Sequence, residues 1–335
     1  MRSRDLHAPF LTSAESFRAP MIDVIVALIP VLAMSCYFFG LRALVMTLVS
    51  VVTCVTAELL YGLLFRRPFS IHDMSAVVTG TLLAFCLPVT APYWTVVIGG
   101  VFAIVVVKQL FGGLGRNFMN PALAARAFLC TFPVIMTRWA APMQQVGLEN
   151  SVDAVTSATM LSYLHRGIIP SHMASPKELF LGQCAGSMGE VSSLMILLGG
   201  VYLVLRKVIS PRIPLCFLGT VAALTYLFPQ GGNDPKTWML YQLLSGGLML
   251  GAVFMATDYV TSPVTRRGQT LYAIGCGVIT VLIRYFGSYP EGVCYAILIM
   301  NTSVSLLDHL CRPRPFGAPR LRDRLAGRQR KEGAK

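Results

Sequence analysis

Ten apolar stretches dominate the 335-residue chain, at 22–40, 42–65, 75–92, 94–111, 121–140, 191–209, 213–229, 239–257, 270–286 and 291–310. Each is near the ~20 residues that a helix needs to cross the hydrocarbon of a bilayer. In lipid every backbone N–H and C=O must find its partner inside the protein, a condition that long apolar runs meet as helices. Hydrophobic residues make up 55% of the chain and charged residues 13%, with a mean hydropathy of +0.64. A soluble chain of this length cannot hide so much apolar surface in one core. The expectation is an all-α polytopic membrane protein with ten transmembrane helices. Several stretches carry Pro or Gly, Pro88 and Gly246-Gly247 among them, and helices broken in this way are tolerated where neighbours satisfy the freed backbone.

Lysine and arginine set the expected orientation. The amino-terminal tail, alternate connections with their adjoining helix ends, and the carboxy-terminal tail hold 22 of the 28, including Arg66-Arg67, Arg206-Lys207 and Arg266-Arg267; the opposite side holds six. By the positive-inside rule both termini are cytoplasmic and the loop 141–190 is extracytoplasmic. The first twenty residues lack the order of a signal peptide, so the amino terminus is expected to stay where it is made. The chain then divides into a cytoplasmic tail (1–21), a first five-helix repeat (22–140), the outer loop (141–190), a second five-helix repeat (191–310) and a basic cytoplasmic tail (311–335). The net charge of +13 is mostly this topology signal, and the nine Lys and Arg after Leu310 suit anionic lipid or a partner subunit. Nucleic-acid binding needs a folded basic face, which this layout does not provide.

Cysteine and histidine spacing argues against metal chemistry within the chain. Eight of the nine cysteines fall within or at the end of apolar stretches, Cys184 stands alone in the outer loop, and no C-x-x-C occurs. Buried Cys acts as a small hydrophobe, whereas an iron–sulfur cluster needs four thiolates together. The two halves echo each other. Ile98-Gly99-Gly100 and the run to Lys108-Gln109-Leu110-Phe111-Gly112 parallel Ile274-Gly275-Cys276 and the run to Arg284-Tyr285-Phe286-Gly287. With five spans per half the second copy is inverted, which predicts two five-helix repeats about a pseudo-twofold axis in the membrane plane, with functional groups at their interface.

Within the outer loop, Asp153-Ala154-Val155-Thr156-Ser157-Ala158-Thr159 resembles the acceptor sequence of flavin transferases, D-x-x-[S/T]-[G/S]-A-T. Its last threonine is esterified through the phosphate of FMN, which implies covalent FMN on Thr159. Small neighbours such as Ser157 and Ala158 leave the hydroxyl accessible to a modifying enzyme, and Asp153 and Thr156 complete the motif; Ala154 departs from the Gly often found there. Three further stretches extend the likeness: Lys108–Leu123 (KQLFGGLGRNFMNPAL), Phe254–Pro263 (FMATDYVTSP) and Tyr289-Pro290-Glu291-Gly292. From about residue 7 to residue 310 the chain resembles the D-subunit family of Rnf ion-translocating ferredoxin:NAD+ oxidoreductase complexes. That family is paralogous to the B subunit of the Na+-translocating NADH:quinone oxidoreductase, and the short amino-terminal tail favours the Rnf side. The resemblance implies a flavin-carrying subunit of the bacterial inner membrane, passing electrons among partner subunits while Na+ or H+ moves, and loaded by an exported flavin transferase. An inverted-repeat channel or secondary transporter without redox chemistry is the alternative from another class.

Six further residues qualify as functional candidates. Asn120 before Pro121 reads as an N-cap and first-turn pair. In the related quinone-reductase subunit the matching asparagines lie by a non-covalently held riboflavin, so Asn117 and Asn120 stay open between a second flavin and a structural role. Ionisable groups inside apolar spans are costly and default to functional suspects. Glu58 lies within the second stretch, Asp258 at the end of the eighth and Asp308 near the end of the tenth. The two aspartates are either helix-end carboxylates paired with Arg266, Arg267 or Arg312, or, as the resemblance implies, stations of cation uptake. Thr257 would add an oxygen ligand suited to a hard cation.

Overall fold

The computed structural model describes residues 18–66, 73–141, 147, 159–170, 174–182 and 185–312. Among them every regular element is a helix, and each of the ten apolar stretches contains one. Three are single helices long and apolar enough to cross a membrane: α1 (Arg18–Phe39), α2 (Leu41–Leu64) and α13 (Arg266–Phe286). Counting bent pairs as single spans raises the number to five. The ten crossings expected from hydropathy thus exceed what helix length alone supports, because several stretches are broken.

The breaks have local causes. α3 (Ser75–Phe85) stops short of Pro88; a proline has no N–H to continue the ladder. The buried irregular backbone beyond it is satisfied by side chains, as burial requires. Arg42 Nε donates to Val89 O at 2.8 Å and Arg42 Nη2 to Ala91 O at 3.2 Å. α4 (Tyr93–Val101) runs into a π-helical segment, Phe102–Gln109. A glycine-rich turn then leads to α5 (Pro121–Leu129), and a single turn, α6 (Pro133–Met136), follows. In the stretch 141–190 lie the short α7 (Met160–Leu164) and α8 (Pro176–Leu181).

The second half comprises α9 (Ser193–Leu205), α10 (Arg212–Leu227), α11 (Pro235–Leu244), α12 (Leu248–Leu250) with a π-helical continuation Gly251–Met255, α13, α14 (Val293–Thr302) and α15 (Val304–Leu310). The chain bends by 66° between α11 and α12 and by 53° between α14 and α15.

Helices approach closely where side chains vanish, the packing mode that replaces the hydrophobic effect inside lipid. A Cβ at Gly80 of α3 would stand 2.8 Å from Val51 Cα of α2, and one at Gly199 of α9 would stand 2.4 Å from Ala27 O of α1. α2 packs on α3 and α4, α10 on α11 and α13, α1 on α9, and α5 on α14. A satellite core of Met160, Leu161, Leu164, Leu179, Trp238 and Tyr241 ties α7 and α8 to α11, which fixes the one described residue of the loop motif, Thr159, against the bundle.

Candidate functional site: two cavities joined by one short helix

α5 and α14 cross in opposite directions through the middle of the protein. Near the start of α5, the Asn301 amide oxygen, in its satisfied orientation, accepts from Asn120 N–H at 3.2 Å. Further along, the Cys294 thiol donates to Leu123 O at 3.3 Å. At the far end Arg126 contacts Glu291. Each end of α5 opens on a cavity, and at 1.5 Å rise per residue Asn120 and Cys130 lie roughly 15 Å apart.

The first cavity, about 70 Å³, is lined by Asn117, Asn120, Thr257, Asp258, Lys108 and Ser75 among others. It brings together four of the residues singled out in the sequence. Asn120 is the N-cap of α5 as expected, its Oδ1 accepting from Ala122 N–H at 3.0 Å and Leu123 N–H at 3.4 Å. Asn117 donates to Met119 O at 3.2 Å, but its buried Oδ1 has no hydrogen-bond partner. The Thr257 hydroxyl is spent on Val253 O at 2.6 Å.

Asp258 accepts from the Thr261 hydroxyl at 3.0 Å, and burial pushes its carboxyl up from the ordinary range. Glu58 stands one step behind the cavity wall: it grips Lys108 Nζ at 2.9 and 3.0 Å and accepts from Gln109 Nε2 at 2.9 Å, while Lys108 donates to Ser75 Oγ at 2.7 Å. Asp308 lies elsewhere. It accepts from the N–H groups of Val264 and Thr265 at 3.2 Å, fixing the turn that starts α13. Among the described residues neither aspartate forms an ion pair with an arginine; hydroxyl and amide donors take that place.

The second cavity is the larger, about 140 Å³, and Thr159 lines it. Thr159 is the N-cap of α7, its hydroxyl accepting from Ser162 N–H at 3.3 Å. Asp153, Thr156, Ser157 and Ala158 lie outside the described residues. Trp139, Tyr289 and Tyr295 contribute aromatic rings, and Met136, Met160 and Leu161 aliphatic surface. The floor is charged: Arg126 Nη2 touches Glu291 and stands 3.9 Å from Glu190 Oε1, with the Arg126 and Glu190 side chains 6% and 8% exposed. Burial and the neighbouring Glu291 push the Glu190 carboxyl up, against the opposing pull of Arg126. Behind the break between α11 and α12, buried Arg284 donates to Gln242 O, to Gln242 Oε1 at 3.0 Å and to Ser245 O at 3.0 Å. Ser245 Oγ and Arg284 Nε are buried without partners.

The sequence alone does not single out Arg126, Glu190, Ser245 or Arg284. Arg126 falls on the basic side in the charge count yet lines the same cavity as Thr159. The one legible signal is the stretch containing Glu291, which stands out for its pattern without a role for the carboxylate.

Among the described residues, helices long and apolar enough to cross a membrane, broken segments and two internal cavities mark a membrane protein. The chain belongs to the NQR2, RnfD, RnfE family, whose sequence model matches residues 6–317. It is 45% identical to the D subunit of the Na(+)-translocating ferredoxin:NAD(+) oxidoreductase complex of Acetobacterium woodii, over 94% of this chain and 95% of that one. It is 41% identical to the D subunit of the ion-translocating oxidoreductase complex of Stutzerimonas stutzeri, over 89% and 91%. With the D subunit of the proton-translocating ferredoxin:NAD(+) oxidoreductase complex of Clostridium ljungdahlii the identity is 39%, over 93% and 96%.

Proposed function

We propose that this chain is the D subunit of an ion-translocating ferredoxin:NAD+ oxidoreductase complex, and that it carries FMN through a phosphoester to Thr159. The observation that carries this reading is the placement of Thr159, the last residue of the acceptor motif, in the wall of the larger cavity. The cavity suits a planar aromatic group: three aromatic side chains line it, Ser245 Oγ is an unpartnered polar atom, and at Gly246 a Cβ would stand 2.9 Å from Leu161 Cδ2. A bound flavin supplies one- and two-electron exchange without diffusing away. The chain's own part is to hold it: Trp139, Tyr289 and Tyr295 offer stacking surface, Met160 and Leu161 keep water out, and Arg126 supplies a fixed positive charge.

The whole bundle is read as ten crossings in two inverted five-helix repeats, 22–140 and 191–310, flanked by cytoplasmic tails 1–21 and 311–335 and joined by the extracytoplasmic loop 141–190. The antiparallel α5–α14 pair supports the inversion, since the amino-terminal ends of two matching short helices face opposite cavities. So does the neighbour pattern, in which α2 packs on α4 as α10 packs on α13. In this orientation the Thr159 cavity faces outward, where an exported flavin transferase reaches it, and the Asn120 cavity faces the cytoplasm of a bacterial inner-membrane protein. The unpartnered Asn117 Oδ1 supports reading the inner cavity as the site of a second, non-covalent flavin such as riboflavin. Asp258 and Thr257 in its wall, with Glu58 behind Lys108, begin the Na+ or H+ path; Asp308 joins them through the turn that it fixes. Both ions occur in the names of the relatives.

The test is fluorescence of the denatured 36.5 kDa chain under ultraviolet light after production with an exported flavin transferase. Wild type fluoresces, Thr159→Ala does not, and Thr156→Ala retains part of the signal. A dark wild-type band rules the covalent flavin out.

A further inference from the structure

We propose that Ser245 is a hydrogen-bond donor to the group bound in the Thr159 cavity, its hydroxyl reaching the polar edge of the flavin ring and holding the reduced ring more tightly than the oxidised one. The inference rests on the flavin assignment above and adds the residue that tunes it. Ser245 is 3% exposed, lies in the cavity wall, and its Oγ has no hydrogen-bond partner within the protein. A buried hydroxyl left in that state is costly, and native proteins keep few of them. The other two aliphatic hydroxyls of the described wall are spent: Thr137 donates to Pro133 O at 2.8 Å, and the Thr159 hydroxyl accepts from Ser162 N–H at 3.3 Å.

Backbone geometry fixes the residue and leaves the hydroxyl free. Ser245 ends α11 in extended backbone, φ −98° and ψ 143°. Both its main-chain groups are used: its N–H donates to Tyr241 O at 3.0 Å and its carbonyl accepts from Arg284 Nη2 at 3.0 Å. Arg284 Nε is also buried without a partner, so the two orphan atoms are not bonded to each other. Next along, Gly246 has φ +72°, and a Cβ there would stand 2.9 Å from Leu161 Cδ2. Leu161 belongs to α7, the helix that Thr159 caps, and Met160, Leu161 and Leu164 pack with Trp238 and Tyr241 of α11. The point of attachment and the hydroxyl therefore sit on elements locked together. Gly247 completes the break: a Cβ there would stand 2.8 Å from Glu291 Oε1 and 3.3 Å from Glu190 Oε1. Ionised carboxylates only accept hydrogen bonds, which leaves the Ser245 proton as a neutral donor at this point of the wall.

The chemistry of the ring determines the consequence. A flavin offers acceptors, its carbonyl oxygens and unprotonated ring nitrogens, along one edge. Reduction adds electron density to them, and a hydrogen bond to an acceptor that gains charge becomes stronger. A hydroxyl donating there favours the reduced form and raises the reduction potential; hydrogen bonds to ring atoms are one of the ways in which a protein sets a cofactor's electronics. No covalent bond is made or broken, and the proton stays on the serine.

Anaerobic redox titration of the flavin absorption reads this, on the full chain made with an exported flavin transferase and purified in detergent, with loading measured by fluorescence of the denatured chain. Ser245→Ala should load as wild type but favour the reduced form about tenfold less, a shift of ~59 mV to lower potential for a one-electron step. Ser245→Thr, which keeps the hydroxyl, should stay near wild type, and Ser245→Cys, a weaker donor, should fall between. In thermal unfolding Ser245→Ala should lower the midpoint of the loaded chain and leave that of a Thr159→Ala chain unchanged. An equal loss in both backgrounds assigns the hydroxyl a structural role and overturns the proposal. An unmoved potential in loaded Ser245→Ala, the result expected of a hydroxyl that only holds water, overturns it as well. If Ser245→Ala does not accumulate, Ser245→Cys against wild type decides in the same way. A dark wild-type chain fells the flavin assignment and this inference together, whereas a fluorescent chain whose potential ignores the residue at 245 fells this inference alone.

Discussion

The two ends of α5 handle buried charge in different ways. Behind the Asn120 cavity Glu58 and Lys108 form a matched pair, with Gln109 and Ser75 adding hydrogen bonds, while Asp258 in the cavity wall is held by the Thr261 hydroxyl. At the Thr159 end two carboxylates lean on one arginine, and Ser245 Oγ and Arg284 Nε are left without partners. A matched pair is a structural solution, since its charges are cancelled and its lone pairs used. A shared cluster of buried ionisable groups with unused polar atoms is costly to keep, which is what a candidate functional site looks like.

The largest effect on this contrast should come from Arg126→Met. It leaves two buried carboxylates without their cation and should cost ~3–5 kcal/mol, the usual penalty for breaking a buried pair. Thermal unfolding of the purified complex in detergent measures it, and adding Glu291→Gln should restore much of the loss. A single variant as stable as wild type would mean that the cluster is neutralised by some other route.

Asp258→Asn acts at the opposite end. It keeps size but removes the charge at the cavity wall, so on the proposed ion path the cation concentration that half-saturates transport should rise on the order of tenfold, about 1.4 kcal/mol. Unaltered cation dependence would return Asp258 to a turn-forming role through Thr261.

Two glycines with positive φ test the cavities sterically. Gly246 (φ +72°) has Leu161 Cδ2 and Arg284 Nη2 in the way of a Cβ, whereas Gly115 (φ +88°) has nothing within 4 Å. Gly115→Ala should cost only the left-handed backbone term, ~1–2 kcal/mol. Gly246→Ala adds a clash and should also lower flavin loading, read as fluorescence per chain. Equal loading in both variants would show that the break at Gly246 is not part of the site.

The smallest expected effect lies outside both cavities. The exposed Asp234 caps α11, accepting from Thr237 N–H at 3.0 Å and the Thr237 hydroxyl at 2.9 Å, and these bonds hold its carboxyl below the usual range. A depressed carboxylate stabilises the fold above its unfolded pKa and stops doing so as pH falls through the folded one. Asp234→Ala should therefore lower the unfolding temperature slightly at neutral pH and not at all in acid; a loss independent of pH would assign the effect to helix propensity instead.

Much of the architecture was legible in the chain. The apolar stretches located a helix in each of ten places, Asn120-Pro121 announced the start of α5, and Gly246-Gly247 marked a break that the structure bends by 66°. These are local signals, carried by residues a few positions apart. The number of full crossings was less legible, because hydropathy measures how apolar a run is and not whether its backbone stays helical across proline, glycine and π-helical turns. Of the sequence candidates, Asn117, Asn120, Thr257 and Asp258 share a cavity, while Glu58 sits behind Lys108 and Asp308 caps a turn. Neither arrangement follows from their spacing.

By itself the sequence determines that this chain lives in a membrane, where its helices begin and break, and which family it resembles, because these depend on hydrophobicity, backbone chemistry and short motifs. Tertiary structure alone decides that Arg126, Glu190 and Glu291 meet beneath Thr159. They come from three separate elements and are brought together by the antiparallel crossing of α5 and α14 and by a glycine that lets two carboxylates approach the same backbone. An arginine in an apolar stretch reads as a helix-end charge until its partners are known, and partners 64 and 165 positions away, as the numbering shows, leave no local trace.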